Sequence, residues 1–295
     1  MTAYLIARNT FREATRDRVL GGVVAAGLVL LLATQLLSPL VLGEGRRLTV
    51  DLGLSGISVL GFLVVLMVGT SLVAKEIEKR TIYNLLSRPI SRHAYLIGKW
   101  GGLSATLWVV AAALGFALWI VLALRGSADH GPAVLEATYL VALELTVVTA
   151  VAVLFSAIST PMLSALYTVG AYAVGQWSYD LRALASQFPP MLGQMLKVAA
   201  NLVPNLPLFN MRTLAADGHT TSLMHLGVAS AYAWWRMIRR DVMGLPPVWL
   251  RTVVAVLAAF GLSIVARTAY LGGKIIHDSP ALQASPPNGA PPVSR

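Results

Sequence analysis

Long uncharged apolar blocks alternate with short basic segments along this chain. No Asp, Glu, Lys or Arg occurs in residues 19–43, 52–74 or 100–124, and a further uncharged block runs from 145 to 179. A hydrocarbon layer about 30 Å thick is crossed by about 20 helical residues, so each of the first three blocks predicts one spanning helix. The fourth is too long for a single crossing. Ser159-Thr160-Pro161 divides it, because proline lacks an amide donor and clashes with the preceding turn. Trp249 to Leu271 forms a last apolar stretch, with Arg251 and Arg267 near its ends. The pattern predicts an all-α integral membrane protein with six transmembrane helices, at about 19–42, 52–74, 100–124, 134–157, 162–179 and 249–271. A β-barrel would alternate apolar and polar residues at period two. Leu28–Ala33 and Val59–Val68 are continuously apolar instead, and in lipid such a run satisfies its own backbone only as a helix.

The basic residues set an orientation. With the N-terminus inside, Arg8, Arg12, Arg16 and Arg18, then six basic residues in 75–99, then Arg267, Lys274 and Arg295 are all cytoplasmic. The short outer loops carry Arg46, Arg47 and Arg125 alone. The positive-inside rule therefore places both termini in the cytoplasm. Residues 221–235 are short for a span and are read as part of the outer stretch. A crossing there would instead bring Arg236, Arg239 and Arg240 inside. Arg8, Arg12 and Arg16 recur every four residues beside Tyr4, Leu5, Phe11 and Ala14, so residues 1–18 are expected to form an interfacial amphipathic helix lying in the plane of the membrane among anionic headgroups. The alternative is a solvated leader that only fixes topology.

Composition narrows the function classes. Charged residues make up 12% and hydrophobic residues 56% of the 295 positions, against roughly 25% charged in a soluble domain. That excludes most soluble enzymes. The net charge of +10 follows from the basic inner face. No basic domain with aromatic readers is present, so no nucleic acid is expected as a partner. Cysteine is absent, which removes disulfides and thiol catalysis. The five histidines fall in no zinc-binding spacing, so no metal is expected. No phosphate loop of the G-x-x-x-x-G-K-[ST] type exists, since Gly272-Gly273-Lys274 lacks both the spacing and the hydroxyl.

The loop between the second and third spans carries the most information. Lys75 to Ser87 reads as a helix, with Glu76 placed to pair with Lys79 and Arg80. Pro89 disfavours helix at Arg88, and Ser91 can cap a helix that restarts after it. Ile77, Ile82, Leu85 and Leu86 form an apolar stripe that no membrane span needs. Such a stripe suits a groove on a partner protein; the alternative is packing back on the bundle.

GTSLVAKEIEKRTIYNLLSRPISRHAYLIGKWGG resembles the signature of the type-2 ABC exporter permeases, the ABC-2 type family. There a Glu-x-Glu-x-x-Thr run leads to Leu-Leu-Ser-x-Pro-x-Ser-Arg and then Gly-Lys. Here these are Glu76, Glu78, Thr81, Leu85, Leu86, Ser87, Pro89, Ser91, Arg92, Gly98 and Lys99. IARNTFREATRDRVL resembles the family's amphipathic entry helix, DLGLSG at 51–56 fits the opening of the second span, and LVPNLPLFNMRT at 202–213 is similar to the stretch before the last span. The resemblance implies a permease subunit that exports a substrate across the bacterial cytoplasmic (inner) membrane, is not itself an enzyme and binds no cofactor. ATP-Mg is then held by a separate ATPase subunit, present in two copies. The loop becomes a cytoplasmic coupling helix seated in an ATPase cleft, with Leu85, Leu86 and Pro89 as the apolar contact. Glu76, Glu78, Arg88 and Arg92 form its polar rim, and Arg80 and Thr81 belong to the same element. A second permease copy completes the machine, as a homodimer. A membrane anchor or scaffold, or a secondary transporter without an ATPase, is the alternative class.

Inside the spans the polar residues are few. Glu144 falls ten residues into the fourth span, where a carboxyl must face protein or water. It is a candidate for the translocation path, or a hydrogen-bonded carboxyl at a helix interface. Gln35, Tyr172 and Gln176 are expected to join helices by hydrogen bonds. Gly98 and Gly102 make a G-x-x-x-G that would allow a close helix contact. In the outer stretch, Met191, Leu192, Met195, Leu196, Val198 and Leu202 have helical spacing broken by Pro204 and Pro207. Short amphipathic or re-entrant helices are expected there. The transmembrane domain thus covers 19–271, and the proline-rich tail 272–295 is expected to be a disordered cytoplasmic segment.

Overall fold

The charge-free blocks do form helices. The computed structural model describes residues 2–38, 44–70, 92–220 and 223–239, and every regular element among them is helical. Helix α1 (Thr2–Arg16) is parted from α2 (Arg18–Leu37) by Asp17, whose carboxylate accepts from the Val19 amide at 3.0 Å and caps α2. Helix α3 (Gly45–Val64) continues into a π turn, Val65–Gly69. Then come α4 (Arg92–Leu124), α5 (Gly131–Ile158) and α6 (Pro161–Gln176). The remainder is α7 (Ser178–Leu184), α8 (Pro190–Leu202), a single turn Leu206–Phe209, α9 (Arg212–Ala216) and α10 (Leu223–Arg239).

Four helices are long and apolar enough to cross a membrane: Arg18–Leu37, Gly45–Gly69, Ala94–Leu124 and Gly131–Ile158. They match the first four expected spans, with two extensions. The second begins at Gly45 rather than 52, taking Arg46, Arg47 and Asp51 into the helix. The third begins at Arg92 rather than 100. Absence of charge marks where lipid can lie, whereas helix continues past it for as long as the backbone bonds itself. The expected fifth span, 162–179, corresponds to α6, which is not among these four; it starts at Pro161, in the first turn where proline is tolerated. It ends at Gln176, so at about 1.5 Å per residue it rises about 24 Å. Trp177 then interrupts the helix before α7. The sixth span, 249–271, and the tail 272–295 lie outside the described residues.

Helix α5 is the axis of the bundle, and α3, α4, α6 and α10 all pack on it. Leucines seat in glycine notches between the other helices. A Cβ at Gly27 of α2 would come within 2.8 Å of Leu114, and one at Gly53 of α3 within 2.7 Å of Leu118. The outward faces carry Leu28, Val29, Leu32, Val109, Phe116, Met162 and Leu166 exposed, the apolar girdle that a bilayer covers. The α2–α3 and α4–α5 connections meet at one end of the bundle, where Arg125 donates to Ser38 Oγ and to the Gln35 carbonyl. We call this the Arg125 end, and its opposite the Pro161 end. Gln35 departs from the expected interhelical role. Its side chain donates at 3.3 Å to its neighbour Thr34, and its backbone carbonyl accepts from Arg125 in the α4–α5 connection.

At the Pro161 end, α1 lies along the start of α4. Gly98 and Gly102 are its seat. A Cβ at Gly98 would stand 2.7 Å from Ile6 Cβ and 2.8 Å from the Ala3 carbonyl, and one at Gly102 would stand 2.7 Å from Thr10 Cβ. Thr10 and Ala14 are buried here, while Arg8, Arg12 and Arg16 point away and are exposed. Lys99 is buried beside them, with its ammonium 3.8 Å from Glu13 Oε2 and 5.9 Å from the Tyr95 ring centre.

Helices α7 to α9 are short, of 7, 13 and 5 residues, and α10 does not lie apart from the bundle. Ala229 and Ala233, four residues apart, are fully buried, and the Ser230 and Tyr139 hydroxyls bond at 2.8 Å. Small side chains one turn apart let the two helices approach. Residues 223–239 therefore run beside α5, along a stretch that the sequence alone assigned to the outer surface.

Candidate functional site

Glu144 sits midway along α5 and is 1% exposed. A carboxyl there must be answered by protein groups, and three elements supply them. From α6, Gln176 Nε2 donates to Glu144 Oε1 at 2.7 Å and contacts the Tyr172 hydroxyl at 3.0 Å. Both residues were expected to join helices by hydrogen bonds; Gln176 does so on the carboxyl itself, whereas the Tyr172 hydroxyl bonds Gln176 within α6. The Tyr172 ring stacks on Phe62 of α3, with centroids 3.9 Å apart and planes at 18°. That contact holds the hydroxyl toward the site. From α3, Ser58 faces the carboxyl and is 1% exposed. From the start of α9, Arg212 brings a guanidinium whose charge bears on Glu144.

The hydrogen bonding is incomplete. Glu144 Oε2, Ser58 Oγ and Arg212 Nε are buried without a hydrogen-bond partner. Arg212 is tied instead to Ser55 Oγ, at 3.2 Å, one turn along α3 from Ser58. Three unpaired polar atoms on three elements, two of opposite charge type, thus lie buried within an apolar bundle.

Arg212 arrives on a strap that begins inside the bundle. Ser178 Oγ donates to Asn205 Oδ1 at 2.8 Å, and the Asn205 amide donates to the Tyr232 hydroxyl at 2.8 Å. Leu206 and Phe209 are buried, with Leu206 against Gly175 at the end of α6. The chain then climbs past α3 and α5 toward the Arg125 end. There Asp217 Oδ1 pairs with Arg47 Nε at 3.3 Å, and Gly218 lies on the His130 ring. Gly218 has φ +78°, a left-handed turn that glycine takes freely. A Cβ there would strike the imidazole. Below the strap, an apolar notch adjoins Tyr172, lined by Val148, Val151, Ala171 and Leu206. Val148 and Val151 follow Glu144 by four and seven residues, on the same face of α5.

The other expected site residues fall elsewhere. Arg8, Arg12 and Arg16 are at the Pro161 end. Glu76, Glu78, Arg80, Thr81, Leu85, Leu86, Arg88 and Pro89 lie outside the described residues, and Arg92 is the first residue of α4. Among the described residues no group of His, Cys, Asp and Glu could hold a metal ion. Sequence reasoning did not single out Ser58 or Arg212. A serine in an apolar helix is common, and Arg212 reads as one more charge in the outer stretch.

A search of curated proteins returns no match for this chain. The family model described as ABC-2 family transporter protein matches residues 4–188, well over half of the chain, from α1 through the end of α7. With four membrane-length helices around a buried polar centre, the chain belongs to the ABC-2 transporter family, as a multi-pass membrane permease of an ABC transporter.

Proposed function

We propose that this chain is the membrane half-unit of an exporter in the bacterial inner membrane, driven by a separate ATPase that holds ATP-Mg. Two permease copies, as a homodimer, work with two ATPase copies. The Pro161 end is cytoplasmic, as are both termini, and α1 lies at that membrane face with Arg8, Arg12 and Arg16 toward anionic headgroups. The observation that carries this reading is the seating of α1 on Gly98 and Gly102, just beyond the loop that resembles the family's coupling element. That loop runs directly into α4, so a push on it moves α4 and α1 together. Cargo passes beside Glu144, the one carboxyl buried at mid-bundle among the described residues.

Leu85 and Leu86 are the apolar contact with the ATPase, and burying two leucines supplies about 3–6 kcal/mol before ordering costs. Replacing both by Asp is expected to release the ATPase on co-purification while the permease still inserts and dimerises. Full retention of the ATPase by the double mutant overturns the coupling role.

A further inference from the structure

Resting on the reading of Glu144 as part of the cargo path, we propose that Glu144, Ser58, Tyr172 and Gln176 form a binding site for a single cationic group on an amphiphilic cargo, and that Arg212 is the internal cation covering this site between transport events. The site is built for a donor-rich positive group. It offers a carboxylate with one oxygen unpaired, an unpaired hydroxyl and a tyrosine hydroxyl, all held by packing on α3, α5 and α6. The apolar notch on the same face of α5, beginning one turn from Glu144, is closed on one side by Pro204 and Leu206 of the strap and holds only about 10 Å³, so the hydrocarbon part would enter only once the strap has been withdrawn.

Arg212 is placed to be displaced. Its guanidinium has five donors, yet its side-chain hydrogen bond is to Ser55 and not to the carboxyl. It rides on a helix of five residues. The strap's other charged tie, Arg47–Asp217, has side chains 51% and 42% exposed, and exposed pairs hold weakly. Withdrawing the strap strips the cation from a buried carboxylate, which is unfavourable unless another cation or a proton takes its place. A cationic cargo therefore binds the strap-open form better than the closed form and shifts the population toward it. A neutral or anionic amphiphile has no such differential affinity.

The chain has no cysteine, so Ser58→Cys provides a single reporter at a residue that is 1% exposed. Its labelling by a membrane-permeant maleimide is followed in vesicles carrying the full chain, with dodecylammonium, dodecanol or dodecyl sulfate added at equal concentration. Dodecylammonium is expected to raise the labelling rate at least about fivefold, the lower range of ordinary site coupling. Dodecanol and dodecyl sulfate should leave it unchanged. Arg212→Gln should label fast without any amphiphile, and Glu144→Gln should abolish the ammonium response. Should Glu144→Gln fail to accumulate, Glu144→Asp, which keeps the charge but shortens its reach, must weaken the response. An equal rise with dodecanol, no rise with dodecylammonium, a response that survives Glu144→Gln, or slow labelling of Arg212→Gln each overturns the proposal. No ATPase enters this assay, so failure of the coupled-exporter reading appears only in the co-purification experiment.

Discussion

Gln176 and Glu144 meet across the α5–α6 interface, amide nitrogen to carboxylate oxygen at 2.7 Å. The bond fixes where α6 stops relative to α5, because Gln176 is the last residue of its helix. Gln176→Leu removes the donor and leaves Glu144 with both oxygens unpaired. The expected loss is about 1–2 kcal/mol, read as a lowered Tm of the purified protein in detergent. Adding Glu144→Leu to Gln176→Leu should cost less than the two single changes summed, as for residues in direct contact. Strict additivity would dissolve the pair.

Helix α1 makes a second test. Gly102→Leu forces a side chain into Thr10 and the Ala7 carbonyl, whereas Gly101 has Ala7 Cβ at 3.9 Å, an ordinary contact distance. Overpacking of this kind costs about 1–3 kcal/mol, enough to lift α1 off α4. Tryptic cleavage after Arg16 in membranes should accelerate in Gly102→Leu and stay at the wild-type rate in Gly101→Ala. Equal cleavage in both would mean that α1 is not held by the glycine seat.

Orientation is tested with single cysteines. Ser127 and Asp129, in the α4–α5 connection, should label from outside intact cells. Ser91 and Ala284 should label only after permeabilisation. Labelling of Ser91 from outside would invert the whole chain. Labelling of Ala284 alone from outside would instead make α10 an additional crossing, in line with its contact on α5 through Ser230 and Tyr139.

Much of this fold could be read from composition along the chain, because lipid imposes a single local rule: an uncharged block of sufficient length becomes a helix. Pro161 marked the α5–α6 break, and Gly98 with Gly102 marked a close contact, since both act through backbone sterics that a single residue type reveals. Glu144 stood out by its cost in lipid, with Gln176 and Tyr172 beside it. The rest of the site was hidden because its pairing is remote. Arg212 bonds Ser55 across 157 positions, and neither residue carries a local pattern that points to the other. The start of α3 at Gly45 was missed because Arg46, Arg47 and Asp51 end the hydrophobic signal before they end the helix. The placement of α10 turned on Ala229 and Ala233, whose small size matters only once a partner helix is known.

The seating of α1 has a consequence for biogenesis. Its binding surface on α4 lies about ninety residues later in the chain than α1 itself, and ribosomes add about 5–20 residues per second. Helix α1 therefore leaves the ribosome well before its seat exists, and waits about 5–20 s with Ile6, Ala7 and Thr10 unpartnered. Over that interval α1 hangs on its one-residue link to α2 at Asp17, so its seating is a late step that closes only after the third membrane-length helix has been made.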